Sequence, residues 1–258
     1  MTRSGYDPLK RAVDVVAAAV VLVLTLPLQA VLAVLVRRRL GSPVLFRQER
    51  PGRDERVFEL RKFRTMVEPD PARGLVTDEQ RLTPFGAFLR STSLDELPTL
   101  LNVLRGDMSL VGPRPLLVRY LDRYSPEQRR RHEVRPGITG LAQVSGRNAI
   151  GWDEKLALDV EYVDRRSLAL DARIVLRTVG SVLRREGISD AAGPTMTEFM
   201  GPEVSARRDH TDPELVEGPV APTDPELVEG HPADRRRLGP TDPELVEGHP
   251  AGGDSHRG

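Results

Sequence analysis

The sequence predicts an α+β fold that is mostly α and is attached to a membrane through its N-terminal region. Three observations predict it: an apolar run of 25 residues near the N-terminus, one pair of short extended stretches, and repeated helix-start signals along the body. These features divide the chain into a membrane-associated helix at 1–41, a folded body at 42–189 and a tail at 190–258.

The first element is the apolar run from Ala12 to Val36, which one Asp, one Thr, one Pro and one Gln interrupt. At about 1.5 Å per residue it can reach across a bilayer core of about 30 Å. A secretory signal is disfavoured, because the run is long for one and is followed by arginines 37–39 without a clear cleavage site. The run therefore predicts a membrane-attached helix.

The flanks and the interior proline of this run bear on its topology. Lys10 and Arg11 precede it and three arginines follow it, so the positive-inside tendency would hold both ends on the cytoplasmic side. Pro27 lies near the middle, where its ring and missing N–H bend or break a helix. Together these features favour a re-entrant helical hairpin. A single kinked helix that spans the bilayer remains the alternative.

The body begins with a predicted strand pair. Residues 43–66 indicate two short strands around a Pro51-Gly52 turn, and the polar residues 67–82 indicate a loop. Thr83-Pro84 then starts a short helix to about Arg90, with proline at its favoured first position.

Two capping signals predict the next helices. Ser93 and Glu96 have the capping-box spacing and open a helix to about Leu104, although Pro98 delays its regular hydrogen bonds. The sequence SPEQ at 125–128 starts another helix in the same way.

The last part of the body contains a glycine-rich stretch and two helices. Residues 135–151 contain too much glycine for a regular element and predict a functional loop. Residues 152–166 predict a helix, and 171–185 predict a basic amphipathic helix that lies on a membrane surface or faces the core. Its apolar stripe consists of Ile174, Val175, Val179, Val182 and Leu183.

Charge and composition separate the tail from the body. Residues 1–189 carry 32 Lys and Arg against 23 Asp and Glu, which predicts anionic partners such as phosphates or an anionic membrane face. Residues 190–258 carry 6 against 15, and three copies of TDPELVEG occur there at unequal spacings. Because the tail has few large apolar residues, it predicts a disordered acidic segment.

Composition also excludes or disfavours several chemistries. The chain has no cysteine, which excludes disulfides and thiolate sites, and His132 is the only histidine of the body. No P-loop, HExxH or dinucleotide-binding fingerprint occurs. Aromatic residues make up 4% of the chain, which argues against nucleic acid as a partner.

The adjacent carboxylates Asp95 and Glu96 are the main candidates for chemistry. At a helix start they would be kept ionised, and an ionised carboxylate can act as a nucleophile or a metal ligand. Acidic residues in a first helical turn are also common caps, so the neighbourhood matters. Arg90 precedes the pair, and Pro113-Arg114-Pro115 follows it and would present one guanidinium at a fixed place.

Further cations could complete a phosphate site: Lys62, Arg64, Arg135 and Arg147. Each alone is more typical of a surface charge, but together they would frame two carboxylates as a diphosphate substrate requires. A carboxylate that attacks a phosphoryl group faces like-charge repulsion, which a divalent cation relieves. We therefore expect Asp95 and Glu96 to bind Mg²⁺.

Several long motifs in order resemble the bacterial sugar transferase family, in its compact form of monotopic polyprenyl-phosphate phosphoglycosyl transferases. The resemblance runs from about Lys10 to Ser189. The motifs are KRAVDVV, FRQERPG, ELRKFRTM, LTPFGAFLRSTSLDELPTLLNVLRGDMSLVGPRP and RPGITGLAQVSGRN. One departure is Leu26-Pro27, where the family usually has Ser-Pro at the bend of its re-entrant helix.

The resemblance implies a double displacement at the cytoplasmic face of the bacterial inner membrane. Asp95 would attack the sugar-linked phosphate of an NDP-sugar, expected to be a UDP-sugar, and release a nucleoside monophosphate. Glu96 would act as a base or metal-site residue when polyprenyl (undecaprenyl) phosphate takes over the phosphosugar. Arg90, Arg114 and Arg147 correspond to positions associated with phosphate or nucleotide contacts. The reaction would begin exopolysaccharide or other glycan assembly.

Two alternatives stay open. The chain could be a membrane-tethered nucleotide-sugar-binding or scaffold protein without catalysis. It could also be a single-displacement glycosyltransferase, which would release a nucleoside diphosphate. No motif identifies the sugar or the oligomeric state.

Overall fold

The computed structural model describes residues 3–146, 150–184 and 198–201 of the chain, and there it is mostly helical with two small sheets. The helices are α1 (Arg3–Arg39), α2 (Asp78–Arg81), α3 (Pro84–Ser91), α4 (Leu100–Arg105), α5 (Pro126–Arg129), α6 (Leu141–Ser145), α7 (Trp152–Arg165) and α8 (Leu168–Arg184). The strands are β1 (Leu45–Pro51), β2 (Val57–Phe63), β3 (Ser109–Val111) and β4 (Gly137–Thr139). The predicted α+β, mostly α class is confirmed.

Helix α1 contacts the body in its N-terminal half and again near its C-terminal end. Ala18 lies in a buried cluster with Met108, and Val36 lies in a second buried cluster with Phe63. Between these contacts the helix is largely exposed, and the exposed fraction of Leu24 is 75%. By length and apolar composition α1 could cross a membrane, and it is the only helix of this kind among the described residues. The helix continues through Pro27, so the hairpin stays a prediction.

The predicted strand pair is confirmed. Strands β1 and β2 are antiparallel, with Leu45 opposite Phe63 and Pro51 opposite Val57. The turn is longer than the predicted Pro51-Gly52 turn, because Gly52 N donates to Arg56 O at 2.8 Å and a 3-10 turn lies between these two residues.

The helix-start predictions met different outcomes. Thr83 caps α3 by accepting from Gly86 N at 3.1 Å, and Ser125 forms the predicted capping box of α5. The prediction of a capping box at Ser93 is wrong. Ser93 has a φ of 54° and its side chain makes no capping hydrogen bond. A 3-10 turn at 94–99 precedes α4. Pro98 explains the difference, since it has no N–H and disfavours helical geometry at the residue before it.

The prediction that residues 135–151 lack regular structure is wrong. They contain β4, which pairs in parallel with β3, and the short helix α6. A Cβ at Gly137 would lie 2.1 Å from Gly112 N, and one at Gly140 would lie 2.2 Å from Gly112 O. The glycines therefore permit a close backbone approach rather than preventing structure.

The two predicted C-terminal helices are confirmed as α7 and α8. Ile174 is buried, whereas Val175, Leu176 and Val179 are exposed at 39%, 73% and 51%. Most of the predicted disordered tail, including the three repeats, lies outside the described residues. The described part, 198–201, packs on the body, and Phe199 is fully buried.

Candidate active site

The predicted catalytic carboxylates lie in the 3-10 turn at 94–99, which packs on β2. Two side chains attach this turn and the start of α4 to the strand. Thr99 Oγ1 donates to Arg61 O at 2.8 Å, and Asn102 donates from Nδ2 to Glu59 O at 2.7 Å. Arg61 N in turn donates to Asn102 Oδ1 at 3.2 Å. Because Asn102 is fully buried, these bonds fix the turn against the strand.

Asp95 is a buried carboxylate with a shifted pKa. Burial, reinforced by the adjacent Glu96 carboxylate, raises the pKa of Asp95 to about 6, while Lys62, Arg90 and Arg114 oppose this rise. Within the described residues Asp95 forms no salt bridge, so the three cations act on it through space. At neutral pH such a carboxyl is mostly ionised, and it is more basic than an ordinary aspartate.

Glu96, the second carboxylate, forms an ion pair with Arg114. Arg114 Nη2 donates to Glu96 Oε1 at 2.9 Å. Pro113 and Pro115 are both buried, whereas Arg114 between them is exposed. Since proline fixes φ, two buried rings hold this loop in one conformation and project the guanidinium toward the carboxylates. The exposed guanidinium has five N–H donors, of which this bond uses one, so it can also contact a phosphate.

Lys62 lies on β2 opposite Phe46, with its Nζ 4.7 Å from the centre of that ring. Burial and the nearby Arg90 lower the pKa of Lys62 to about 8. The amine is therefore charged at neutral pH but poorly hydrated. Both properties favour contact with a phosphate group.

Arg90 reaches the site because α3 packs directly on the chain that follows β2. Arg90 Nε donates to Thr65 Oγ1 at 3.0 Å. A Cβ at Gly86 would lie 1.7 Å from Thr65 O, so a larger residue there would push the helix away. Gly86 thus sets the position of Arg90.

Two of the remaining predicted cations, Arg64 and Arg135, contact groups other than the carboxylate pair. Arg64 is buried and pairs with Glu68 at 2.5 Å, and its Nη1 has no hydrogen-bond partner in the described part of the chain. Arg135 Nε donates to Gly106 O at 2.8 Å. Arg147 lies outside the described residues. The structure therefore gathers three of the predicted cations around the carboxylates and pairs Arg64 and Arg135 with other groups.

The carboxylate pair could supply only part of the ligands of a divalent cation. Among the described residues, no group of three or more Asp, Glu or His side chains could hold a metal ion. Mg²⁺, however, commonly takes only one or two carboxylates together with water and substrate phosphates. A cation beside Asp95 would also offset the repulsion from Glu96, which adds to burial in raising the pKa of Asp95.

The sequence interpretation missed four residues that position the site: Gly86, Thr99, Asn102 and Arg131. Asn102 could have been noticed, because it is the one polar residue in the otherwise apolar sequence LLNVL at 100–104. Arg131 stands in a run of three arginines that resembles a surface charge cluster. It is 2% exposed, pairs with Asp159 at 2.7 Å and donates to Arg114 O at 2.6 Å.

Comparison with known families gives one match that covers most of the chain. The family model described as bacterial sugar transferase matches residues 5–185. This range includes nearly all of α1, the carboxylate pair and every predicted cation of the site.

Individual relatives agree with this match. The uncharacterized sugar transferase EpsL of Bacillus subtilis is 51% identical over 194 residues, which cover 75% of this chain and 96% of EpsL. The UDP-glucose:undecaprenyl-phosphate glucose-1-phosphate transferase of Caulobacter vibrioides is 44% identical, covering 71% and 73%. The undecaprenyl-phosphate galactose phosphotransferase of Salmonella typhimurium is 40% identical, covering 69% of this chain but 41% of that protein.

Proposed function

Since this chain belongs to the bacterial sugar transferase family, we propose that it transfers a phosphosugar from a UDP-sugar to undecaprenyl phosphate. The products would be an undecaprenyl-diphosphate-sugar and UMP, and the reaction would begin exopolysaccharide or other glycan assembly. The observation that carries the proposal is the buried Asp95, adjacent to Glu96 and surrounded by Lys62, Arg90 and Arg114.

The first step uses Asp95 as a nucleophile. One carboxylate oxygen attacks the phosphorus that bears the sugar, and the bond from this phosphorus to the bridging oxygen breaks. UMP leaves with that oxygen, and an acyl phosphosugar remains on Asp95. Lys62, Arg90 and Arg114 offset the negative charge that builds up on the phosphate oxygens.

The second step returns Asp95 to its carboxylate form. A phosphate oxygen of the lipid carrier attacks the same phosphorus, and the bond to the Asp95 oxygen breaks. The product has a new diphosphate linkage, so the atoms balance without water or a further reactant. Glu96, held by Arg114 at 2.9 Å, lies next to the reacting carboxylate and serves as a base or metal-site residue.

Magnesium is part of this proposal. Asp95 and Glu96 would hold the ion together with substrate phosphates, and the ion would supply charge neutralisation at the phosphate oxygens. Removing divalent cations with EDTA should abolish UMP release, and Mg²⁺ should restore it. Full UMP release in EDTA would remove the metal from the scheme.

The proposed location is the cytoplasmic face of the inner membrane, with both ends of α1 on that side. Ala18 in the first third of the apolar run and Val36 at its end are both buried against the same body. If α1 crossed the bilayer, the charged body that packs along it would have to lie partly within the bilayer, which is costly. The exposed apolar residues of α8, flanked by Arg173 and Arg177, suit an interfacial position.

Topology can be tested by labelling, because the chain has no native cysteine. Single cysteines at Thr2 and Ser42 should react from the same side of the membrane in intact cells. Reaction from opposite sides would establish a spanning helix.

The activity is tested by mixing purified protein with a panel of nucleotide-sugars, Mg²⁺ and undecaprenyl phosphate. Release of a nucleoside monophosphate with one of them is the expected result. Release of a nucleoside diphosphate would instead indicate direct glycosyl transfer. Binding without release of either would indicate a non-catalytic protein.

A further inference from the structure

A short segment that follows α8 in the chain, Glu198–Gly201, packs into an aromatic site on the body. Phe199 is fully buried there. Its ring centre lies 5.7 Å from that of Tyr120, 5.5 Å from that of Tyr124 and 5.4 Å from that of Trp152. Three rings from two regions of the body therefore surround one side chain of the segment.

Polar contacts give this docking a defined register. Arg123 Nη1 donates to Glu198 Oε1 at 2.7 Å and to Phe199 O at 2.5 Å, and Arg119 Nε lies 3.3 Å from the same carboxylate oxygen. Gly201 follows with a φ of 98°, a conformation that favours glycine. An ion pair, a main-chain bond, a buried ring and a glycine turn occur within four residues.

The aromatic site is connected to the active site through Tyr124. The ring of Phe199 is stacked on Tyr124, whose hydroxyl accepts a bond from Arg131 Nη1 at 3.4 Å. Arg131 Nη2 donates to Arg114 O at 2.6 Å, and Asp159 of α7 pairs with the same guanidinium. A chain of contacts thus runs from Phe199 to the backbone of the residue that holds Glu96.

The geometry points to Glu198–Gly201 as a C-terminal latch, with Phe199 as a positioning residue that keeps Arg114 at the carboxylate pair. The catalytic unit then extends through Gly201, beyond the family match that ends at 185. This inference rests on the proposed function, because Arg114 matters there as a phosphate contact. Phe199 itself touches none of the reacting groups.

The test compares two full-length variants with buried side chains removed, Phe199→Ala and Met108→Ala. Met108 is 1% exposed and packs with Ala18 against α1, so its loss destabilises the protein through a cluster that contains none of the rings around Phe199. Per folded molecule, Phe199→Ala should lower kcat/KM for the UDP-sugar at least tenfold, mainly through KM. Met108→Ala should stay within about twofold of wild type at an equal or lower Tm. Phe199→Leu should recover most of the loss.

Hydrogen exchange supplies a readout that does not depend on turnover. Amides in 113–124 should exchange faster in Phe199→Ala than in Met108→Ala. If Phe199→Ala does not fold, Glu198→Lys, which places a cation opposite Arg119 and Arg123, should give the same two effects at smaller size.

The outcomes separate the latch from the proposed function. Unchanged exchange and unchanged kcat/KM in Phe199→Ala would overturn the latch while leaving the reaction intact. Faster exchange in 113–124 with no nucleotide release by the wild type would support the latch as a structural device and refute the proposed function.

Discussion

Two buried aspartates of this molecule, Asp95 and Asp159, have opposite surroundings. Asp159 is 4% exposed and contacts Arg131 through two bonds, at 2.7 and 3.1 Å. Asp95 is 7% exposed, has a second carboxylate as its neighbour, and forms no salt bridge within the described residues. One charge is compensated by contact, and the other only by cations at a distance.

The difference separates a structural carboxylate from the proposed nucleophile. A buried ion pair with its partner in place holds two elements together, here the segment at 130–133 and α7. A buried carboxylate without a contacting partner makes the folded state less stable but keeps its oxygens available for reaction. The incomplete compensation of Asp95 is therefore the feature that suits it to a nucleophile's role.

The largest expected effect comes from exchanging each aspartate for asparagine. Asp95→Asn should reduce lipid-product formation at least about 10³-fold, because the nucleophile is lost. It should also stabilise the fold at pH 7. The native pKa of about 6 lies above the ordinary 3.8, so ionising Asp95 costs stability as the pH rises through 6. Chemical denaturation should show a gain of up to about 3 kcal/mol at pH 7 that vanishes below pH 4.

Asp159→Asn is the matched opposite. It leaves Arg131 buried without a carboxylate, so the free energy of unfolding should fall by about 3–5 kcal/mol. The protein that remains folded should still form product, although the support of Arg114 is weakened. A stability loss in Asp95→Asn as large as that in Asp159→Asn would mean that both aspartates are structural.

A smaller effect is expected from moving one of the distant cations. Gly86→Ala places a methyl group where Thr65 O lies 1.7 Å away, so α3 must shift and carry Arg90 from the site. We expect kcat/KM for the nucleotide-sugar to fall about 10- to 100-fold, the size of one lost charged contact. Gly180→Ala is the control, because a Cβ there meets nothing within 4 Å. Equal activities in the two variants would show that the position of Arg90 is unimportant.

The mildest effect is on the pH profile of kcat/KM for UMP release. Asp95 must be ionised, so activity should rise with pH around 6, and Lys62 must be charged, so activity should fall around pH 8. Lys62→Arg should move only the alkaline limb upward, since arginine stays charged. An alkaline limb that Lys62→Arg leaves in place would assign it to another group.

Local signals predicted the parts of this structure that local chemistry controls. Thr83-Pro84 marks the start of α3, and SPEQ at 125–128 marks that of α5, because each cap bonds within its own first turn. The same logic failed at Ser93, where Pro98 prevents a regular first turn. It also failed in the glycine-rich 135–151, where glycine serves contact with Gly112, far away in sequence.

For the same reason, the residues that position the candidate active site could not be predicted from the sequence. Asn102 bonds to Arg61 and Glu59, which are 41 and 43 residues away, and no local pattern reports such a contact. The carboxylate pair was identified by its chemistry, but the burial of Asp95 was not predicted. The tail was interpreted by its overall composition, which is rich in Pro, Gly and acidic residues, so the role of Phe199 was missed. The ring of Phe199 packs against residues that precede it by more than 45 positions.

Intact-protein mass spectrometry tests the central claim most directly. Wild-type protein with its UDP-sugar and Mg²⁺, but without lipid, should gain the mass of one phosphosugar, and peptide mapping should place it on Asp95. The adduct should disappear when undecaprenyl phosphate is added, more slowly in Glu96→Gln, and should never form in Asp95→Asn. Sustained lipid-product formation by Asp95→Asn, or an adduct on another residue, would contradict the account.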